Sequence, residues 1–531
     1  MSLSPQDEAT ASCEIEEPSL YRQLARAALH AGSDHIAIIN GRRRLSYSAL
    51  LAASDRLSDL LIDADVQAGE PVAVLMDNVP EYLVAAFGIW RRGAILLPLS
   101  SQLREQEIKQ SLSNSGARAV LTGINKRMMM ESLRHSGVPI NHMWLFDETN
   151  DHWMYDRVCE VALSARAANR SNSFIEPSPP AVTQFSTGST GIPKRVTRSH
   201  SQLVGEAMAV AQLLSIQPED RILGVAPLFH SYGLVVSALV TLLSGATLYL
   251  FETFLPSRVA YAIERERITG LPGVPFMFAL LCDLDASHDF SSLRFALSAG
   301  APLPRATAAR IWALYGVAVQ PLYGSTETGV ISLSAARLED EGTSVGLPIP
   351  GVSVSIVDDT GHELPTGEVG QVRVRSSFAP MTYDTEYSHS ESHFLQEYFF
   401  PGDQGKLLPD GQLTLCGRQR RFINVRGLKV DPVEVEVILL QLPNIVEAVV
   451  FGVRDVCSGE KVKAVLVTPH SLSHEAVRQH CARHLAPFKC PSIIEIRDGL
   501  PRNSLGKVLL KNLMEEQESL PIGPRSADGS T

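Results

Sequence analysis

The sequence predicts an α/β fold with two unequal domains. A large N-terminal domain turns into an antiparallel β segment after about residue 350, and a small α+β domain follows at the C-terminus. Three observations support this prediction. Residues 71–99 read as a β-α-β unit, short strands with turn clusters begin near residue 350, and a compact unit of roughly 110 residues follows Gly417.

The β-α-β unit is the clearest element. Its first strand is PVAVLM, Pro80 begins a helix that continues to Arg92, and Gly93 returns the chain to the strand AILLPL. Helical pieces such as 305–315 separate further apolar runs, which lie at 118–121, 182–185, 221–226, 246–251 and 293–298. Strands and helices that alternate in this way predict a large α/β body.

The stretch 231–251, SYGLVVSALVTLLSGATLYLF, contains no charged residue. It passes the length test for a membrane-spanning helix. However, Ser244 and Gly245 divide it into a helix-length piece and a strand-like ATLYLF. We therefore expect a buried helix followed by a buried strand, and no membrane as a partner.

The small domain has its own start signals. A strand FINV leads to a turn at Arg426 and Gly427, and a helix start follows with Asp431 as N-cap, Pro432 at N1 and Glu434 at N3. The strand-like runs EAVVFGV, KAVLV and SIIEI and the helical run HEAVRQHCARHL complete the predicted domain.

Composition and charge exclude several partners. The 531 residues carry 47 Lys and Arg against 58 Asp and Glu, and this net charge of −11 argues against a nucleic-acid surface or an anionic membrane. The seven cysteines contain no C-x-x-C pair and predict neither a disulfide framework nor a zinc site. Residues 1–19 lack the pattern of a signal peptide, so we expect a cytoplasmic protein. That segment and 519–531 read as disordered tails.

The segment 186–195, STGSTGIPKR, is suited to phosphate. A strand-like AVTQF precedes it and a helical SHSQLVGEAMAVAQLL follows, so its backbone N–H groups and hydroxyls can line a concave anion site. It is not a P-loop, because Pro193 precedes the lysine and Arg195 follows it. By itself the segment could also be a flexible surface loop. Any nucleotide site here belongs to another class.

Further motifs accompany this segment in a fixed order. They are PLFHSYGL at 227–234, LSAGAPL at 297–303, LYGSTETG at 322–329, GDQG…GRQRRFINVRGLKVDPVEVE at 402–436 and PRNSLGKVLLKNL at 501–513. Together the motifs resemble those of the adenylate-forming superfamily, which includes acyl- and aryl-CoA synthetases, peptide-synthetase adenylation domains and firefly luciferase. The resemblance covers residues 20–515.

The resemblance implies a reaction and a domain plan. The family activates a carboxylic acid with ATP and Mg²⁺ to an acyl-AMP and pyrophosphate, and then passes the acyl group to a thiol. It implies an N-terminal adenylation domain with α/β subdomains and a β-barrel-like subdomain at 20–417, and a mobile C-terminal domain at 418–518. In the family this small domain swings between an adenylating and a thiol-transferring pose.

The resemblance assigns ATP and AMP contacts to residues of four motifs. The phosphates would lie against Thr187, Gly188, Ser189, Thr190, Gly191 and Lys194, the purine beside Ser298, Ala299, Gly300 and Ala301 and against Tyr323, Gly324 and Ser325, and the ribose against Asp403 and Arg418. Asp403 supplies an acceptor and Arg418 a donor, which are the two groups that suit a ribose diol.

Adenylation needs cations, because a carboxylate attacks a phosphate and both partners are negative. The resemblance implies that Lys507 bridges the carboxylate and phosphate oxygens, that Glu327 holds Mg²⁺ and that Thr326 contacts phosphate. His230 matches the aromatic gate beside the acyl site. These four are the predicted catalytic residues.

The acceptor side of the predicted site lies in the small domain. Arg420 matches the hinge position, where the family commonly has Asp or Lys. Arg426 and Gly427 would line the path of a phosphopantetheine arm, which a side chain at Gly427 would obstruct. The basic run RQRRFINVRGLK would face pyrophosphate or a CoA phosphate, or is a solvated hairpin. The expected acceptor is coenzyme A, with a carrier-protein pantetheine as the alternative.

The acid is predicted only by class. The matched pocket positions suggest a mostly apolar, moderate cavity, and they are His230, Tyr232, Val236, Gly324, Val330 and Ile331. No aspartate stands in 227–234 to pair with a substrate ammonium, so an α-amino acid is not expected. An aromatic acid such as a benzoate relative, or a medium-chain acid, fits. An oxidative luciferase-like enzyme and a non-catalytic nucleotide-binding regulator stay open, as do a monomer and a homodimer.

Overall fold

The structure is a computed structural model that describes most of the chain. The described residues are 19–147, 159–160, 179–186, 194–284, 288–334, 344–358, 360–380, 394–395, 397–418, 422–455, 457–468, 472–501 and 513–514. The predicted tails lie outside these ranges apart from Ser19, and they stay predictions.

The helices of the described ranges occur in both domains. They are α1 Leu20–Ala31, α2 Tyr47–Asp63, α3 Pro80–Arg92, α4 Glu105–Ser115, α5 Arg127–His135, α6 His200–Leu213, α7 Val240–Leu243, α8 Pro256–Arg265, α9 Pro275–Cys282, α10 Arg305–Tyr315, α11 Pro432–Leu439 and α12 His474–His484. A π-helix at Tyr232–Leu239 leads directly into α7.

The strands fall into four groups along the chain. The first two groups are β1 Ile36–Asn40, β2 Arg43–Ser46, β3 Pro71–Leu75, β4 Ile95–Leu99, β5 Ala119–Gly123, β6 His142–Phe146, β7 Cys159–Glu160, β8 Pro180–Ser186 and β9 Lys194–Ser199, then β10 Arg221–Gly224, β11 Thr247–Leu250, β12 Gly270–Gly273, β13 Phe295–Ser298, β14 Val319–Ser325 and β15 Gly329–Leu333. The last two are β16 Ser344–Pro348, β17 Val352–Val357, β18 Gly370–Ser376, β19 Phe394–Leu395, β20 Tyr398–Phe399, β21 Asp403–Leu407 and β22 Leu413–Arg418, then β23 Ile423–Val425, β24 Leu428–Val430, β25 Glu447–Asp455, β26 Gly459–Val467 and β27 Ile493–Arg497.

The predicted β-α-β unit is present as β3, α3 and β4. The two strands are parallel neighbours. Pro80 stands in the first helical turn, and Gly93 ends α3 in the left-handed conformation with a φ of 78°. Every residue of α3 from Pro80 to Trp90 is buried. A helix that is buried on all sides lies inside the body rather than on its surface.

Two sheets with helices between and around them form the main body. One sheet has the order β7-β6-β5-β3-β4-β8-β9, and a longer sheet runs β2-β1-β11-β10-β12-β13-β14 and continues into β15 and β16. Helices α1, α2, α3 and α6 share one core with strands of both sheets. Helices α4 and α5 pack on the other face of the first sheet, and α8, α9 and α10 on the other face of the second. The predicted α/β body is confirmed.

The apolar stretch 231–251 is a buried helix followed by a buried strand, as expected. The helix is the π-helix with α7, and the strand is β11. The π-helical geometry was not predicted. Here the backbone of the π-helix lies close to the preceding loop, because a Cβ at Gly233 would stand 2.2 Å from the carbonyl oxygen of Pro227. Within the described ranges, no helix has the length and apolar character that a membrane crossing needs.

The segment after residue 350 is antiparallel, as predicted. Strand β17 pairs with β18 along its whole length, and β21 pairs with β22. These strands pack with β15 around a core of their own, which consists of Ile331, Ile356, Val372, Val374 and Leu413.

The small domain has a separate sheet and core. Its strands have the order β24-β23-β26-β25, with β27 beside β26. The predicted helix begins at Pro432 as α11, and α11 and α12 pack together over a core that extends from Ile423 to Ile494. The predicted fold class, a large N-terminal domain and a small C-terminal domain, is confirmed. The proposed boundary at residue 417 stays a prediction.

Candidate active site

The candidate site lies at the carboxyl ends of parallel strands in the long sheet. Strands β10, β12 and β13 are parallel neighbours. The segments that follow their ends contain His230, Val274 and Gly300. Ligands of open α/β sheets bind outside such strand ends. The fold therefore brings three segments that are far apart in sequence to one edge.

The turn between β14 and β15 carries the predicted residues Thr326 and Glu327. A Cβ at Gly324 would stand 2.5 Å from the carbonyl oxygen of Gly329, so only glycine fits this tight return of the chain. The Oγ of Ser325 closes the turn by accepting a backbone hydrogen bond at 3.1 Å. This local geometry explains the Gly and Ser of the YGSTETG motif.

Two predicted nucleotide residues contact each other. The hydroxyl of Tyr323 donates a hydrogen bond to Oδ2 of Asp403 at 2.6 Å. Asp403 lies opposite Arg418 in the β21–β22 ladder. The structure thus brings Tyr323, the predicted base-stacking residue, into contact with Asp403, a predicted ribose-binding residue. For Arg418 the structure describes the backbone.

The predicted purine segment follows β13 directly. Ser298 ends the strand and is buried, Ala299 belongs to the central core, and Gly300 has a φ of 83° ahead of the half-buried Ala301. Among the described residues, the buried Oγ of Ser298 has no hydrogen-bond partner. A buried hydroxyl without a partner fits a position that meets a polar ligand.

A cavity of about 170 Å³ lies between this edge and the small domain. Its lining includes Phe229, His230 and Thr326 of the main body, and Leu428 and Lys429 of the small domain. Burial lowers the pKa of His230 to about 4, and the positive charge of Lys429 contributes to this shift. The imidazole is therefore neutral at neutral pH.

The predicted acid-pocket positions fall into two groups. Val236 and Val330 belong to the core that α1, α2, α3 and α6 share with strands of both sheets, and Tyr232 packs against this core. The hydroxyl of Tyr232 lies 3.4 Å from the carbonyl oxygen of Leu297. Burial raises the pKa of Tyr232, so its hydroxyl stays protonated. Ile331 lies in the core of the antiparallel strands, together with Tyr323. The pocket stays a prediction.

The hairpin β23–β24 of the small domain docks on the strand edge, and we call residues 423–430 the docking hairpin. Nδ2 of Asn424 donates to the carbonyl oxygen of Gly300 at 2.6 Å. At the tip, Arg426 and Gly427 have φ values of 53° and 83°. A Cβ at Gly427 would stand 3.1 Å from Cγ2 of Val274. Gly427 therefore combines a left-handed turn with a close approach to the main body.

A buried ion pair that the sequence did not predict supports the Thr326–Glu327 turn. Nη2 of Arg198 and Oε2 of Glu206 lie 2.5 Å apart, and both side chains are 1 % exposed. Oε1 of Glu206 accepts a hydrogen bond from the backbone of Val330 at 2.8 Å. The sequence contains one signal for this ion pair, because Glu206 is a single acidic residue in the otherwise apolar run LVGEAMAVA.

Several predicted residues lie outside the described ranges. They are Thr187, Gly188, Ser189, Thr190, Gly191, Arg420 and Lys507. The ends of the phosphate segment are described, and Ser186 lies opposite Lys194 in the β8–β9 hairpin. These assignments stay predictions.

The described residues contain no group of three or more His, Cys, Asp or Glu side chains that could hold a metal ion. Magnesium commonly binds to one or two carboxylates together with substrate phosphates. The single predicted ligand Glu327, in a turn beside Thr326, fits that chemistry.

Comparison with family models identifies both domains. The model described as "AMP-binding enzyme" matches residues 24–383, and the model described as "AMP-binding enzyme C-terminal domain" matches residues 434–507.

Full-length relatives and solved structures agree with these matches. The 3-[(3aS,4S,7aS)-7a-methyl-1,5-dioxo-octahydro-1H-inden-4-yl]propanoyl:CoA ligase of Rhodococcus jostii is 30% identical, with 95% of this chain and 99% of the relative covered. A feruloyl-CoA synthase of Amycolatopsis is 29% identical, over 91% of this chain and 96% of the relative. The amide bond synthetase McbA of Marinactinospora thermotolerans superimposes with a TM-score of 0.82 at 26% identity, covering 94% of this chain and 99% of McbA. The chain therefore belongs to the AMP-binding enzyme family, in the adenylate-forming superfamily and in the branch whose named relatives are acid:CoA ligases.

Proposed function

We propose that the protein is an AMP-forming acid:CoA ligase. It activates a carboxylic acid with ATP to an acyl-AMP and pyrophosphate, and transfers the acyl group to coenzyme A. The main support for this proposal is that the predicted residues lie at one edge of the long sheet. They are Tyr323 with Asp403, the Thr326–Glu327 turn and His230, and the docking hairpin covers this edge. The names of the CoA ligase relatives support the same reaction.

In the first half-reaction the residues of this chain position ATP. Asp403 accepts a hydrogen bond from the ribose, and the ring of Tyr323 stacks on the base. Mg²⁺, held by Glu327, would neutralise part of the phosphate charge when bound. Lys507 supplies the cation between the acid carboxylate and the α-phosphate, where negative charge builds up in the transition state.

In the second half-reaction a thiol displaces AMP. The S–C bond to the acyl carbon forms, and the bond from that carbon to the phosphate oxygen of AMP breaks. AMP leaves with the bonding electron pair, and the thiol proton passes to solvent. The neutral imidazole of His230 adds no positive charge beside the acyl group. The docking hairpin borders the same cavity, which supports the assignment of Gly427 to the acceptor path.

We propose an aromatic acid of the benzoate type, or a medium-chain acid, as the substrate. The apolar Val236 and Val330, in the core against which the half-buried Tyr232 packs, support an apolar acid. The segment 227–234 offers no carboxylate for an α-amino group. We also propose that the enzyme acts in the cytoplasm as a monomer or homodimer, with CoA preferred to a carrier protein.

A panel of carboxylic acids tests the function. Each acid is incubated with ATP and Mg²⁺, pyrophosphate release is measured, and the incubation is repeated with CoA and product mass analysis. Release with an aromatic or medium-chain acid, followed by the mass of the acyl-CoA, supports the proposal. Binding of ATP without release for any acid contradicts it and favours a nucleotide-binding regulator. Transfer only to a carrier protein overturns the choice of CoA.

A further inference from the structure

A buried lysine bridges the two domains beside the cavity. Nζ of Lys489 lies 2.8 Å from Oε1 of Glu107 and 2.8 Å from Oε1 of Glu434. Glu107 belongs to α4 of the main body, whereas Glu434 belongs to α11 of the small domain. The exposed fraction of the side chain is 12 % for Lys489, 10 % for Glu107 and 21 % for Glu434. We call these three residues the interdomain bridge.

The bridge places one positive charge between two negative charges. Burial alone would lower the pKa of Lys489, but the two carboxylates outweigh burial and raise it. The second oxygen of Glu107 is also engaged, since Oε2 accepts a hydrogen bond from the backbone of Arg104 at 3.0 Å. Glu107 is thus held in place by its own helix before it meets Lys489. Removal of the lysine leaves two largely buried carboxylates without a compensating cation.

The bridge exists only when the small domain sits on this side of the main body. A domain with its own core can dock in more than one placement. In this placement Gly427 and Lys429 of the docking hairpin lie beside Val274 and the cavity. The bridge and the hairpin are therefore two parts of one docked arrangement.

We propose that Glu107, Lys489 and Glu434 are positioning residues for thioester formation. The interdomain bridge holds the small domain in the placement in which the docking hairpin covers the cavity beside His230. All three residues also line this cavity, and as positioning residues they act on the reaction through the hairpin. The inference rests on the proposed function, since it assigns the docked placement to the second half-reaction.

The decisive variant is Lys489→Met, which keeps the length of the side chain and removes its charge. Both carboxylate oxygens lie 2.8 Å from the same nitrogen, so without the lysine two like charges face each other across the domain interface. We expect the rate of acyl transfer from preformed acyl-AMP to CoA to fall by about tenfold or more. Acid-dependent pyrophosphate exchange should stay within about threefold of the parent. Lys489→Arg should restore much of the transfer rate.

Lys463→Met is the matched control. Lys463 is 5 % exposed and its Nζ lies 2.6 Å from Glu495, but both residues belong to the small domain. We expect this variant to lower the melting temperature while the ratio of the two half-reactions stays at the parental value. If Lys489→Met fails to fold, Glu107→Gln replaces it, because it removes the contact between the domains. This variant should lower the transfer rate without changing pyrophosphate exchange.

A distance measurement makes the test independent of activity. Spin labels are attached through unnatural amino acids at the exposed positions of Asp63 and Arg478, one in each domain. The parent should give one dominant distance, and Lys489→Met should broaden or shift it. An unchanged distance in the variant, or equal loss of both half-reactions, overturns the proposal. A parent without pyrophosphate exchange for any acid refutes the proposed function instead, and the distances then still decide whether the bridge holds the domain.

Discussion

At the scale of single residues, the contact between Tyr323 and Asp403 is the most informative. The 2.6 Å hydrogen bond fixes the carboxylate of Asp403 in the ladder position opposite Arg418. A carboxylate that is oriented in advance loses less freedom when it accepts a ribose hydroxyl. The structure thus couples two residues that the motifs assigned to separate parts of the nucleotide.

We predict that Asp403→Ala raises the KM for ATP and lowers kcat/KM. The variant loses an acceptor that is charged, which corresponds to about 1 to 3 kcal/mol. The KM for ATP is measured by acid-dependent pyrophosphate release. Asp410→Ala, in the exposed loop between β21 and β22, is the control and should behave as the parent. Parental ATP kinetics for a folded Asp403→Ala would refute the ribose assignment.

The buried pair of Arg198 and Glu206 leads to a prediction about stability. Arg198→Met leaves the carboxylate of Glu206 buried without its cation, and we expect a loss of about 3 to 5 kcal/mol in the free energy of unfolding. Urea denaturation measures this loss. Arg267→Met is the control, because Arg267 and Asp289 form an exposed pair whose removal costs about 1 kcal/mol or less. Equal effects of the two substitutions would contradict a structural role for Arg198.

The sequence indicated candidate site residues, but it did not indicate the contacts that support them. Tyr323, Thr326 and Glu327 stand in a short motif, and local backbone geometry brings them together. Lys489 and Glu107 are 382 positions apart, and no local pattern links them. Such partners depend on how the domains pack, which neither periodicity nor motif spacing encodes.

At the scale of elements, the docking hairpin combines two requirements at Gly427. The positive φ of 83° favours glycine, and a Cβ at this position would make a tight contact with the side chain of Val274 at 3.1 Å. The sequence predicted the turn between two strands. Only the structure adds Val274, because that contact comes from another domain.

We predict that Gly427→Leu blocks transfer to CoA more than it affects acyl-AMP formation. Leucine must adopt a left-handed backbone, which costs about 1 to 2 kcal/mol, and its Cβ meets Val274 in the docked placement. Both half-reactions and the melting temperature are measured on one preparation.

Gly459→Leu is the matched control for this prediction. Gly459 has a φ of 76° in the same domain, and among the described residues its Cβ would meet the carbonyl oxygen of Asn424 alone, at 3.5 Å. We expect the same loss of stability with both half-reactions reduced to the same extent. If Gly427→Leu transfers to CoA at the parental rate, the hairpin does not border the acceptor path.

The hydrophobic periodicity of the sequence predicted most helices and strands, because the buried positions of a helix or a strand recur at a fixed interval. The β-α-β unit, the apolar helix with its strand, and the antiparallel segment were all predicted and are present. The π-helix at 232–239 was not predicted. Its residues are apolar on every face of the helix, so the sequence does not indicate which backbone hydrogen-bond pattern forms.

At the scale of the whole molecule, His200 at the start of α6 links α1 to α3. Its Nδ1 accepts a hydrogen bond from the backbone of Leu20 at 3.3 Å, and its ring packs against Trp90. Burial lowers the pKa of His200 to about 4. A neutral ring is required, because a protonated Nδ1 cannot accept this hydrogen bond.

We predict that the protein loses stability in acid. An unfolded chain protonates histidine below about pH 6.5, whereas native His200 stays neutral down to about pH 4. The stabilisation is complete above pH 6.5 and is lost as the pH falls toward 4, by roughly 3 kcal/mol for one histidine. Melting temperatures at pH 7.5, 5.5 and 4.5 measure the effect. His200→Asn should show a smaller decline, and an identical decline would assign the effect to other groups.

The core between the two sheets combines helices and strands from distant parts of the chain, and this also determines when the protein can fold during its own synthesis. Strand β1 needs β11 as its parallel neighbour, with Ile38 opposite Leu248. A ribosome that adds about 5 to 20 residues per second needs about 10 to 40 s to cover that separation. During this time the apolar helix α3 has no complete layer to enter. Nascent chains that stop before residue 250 should therefore bind chaperones or aggregate, and ribosome-bound chains of increasing length would reveal the point at which they stop doing so.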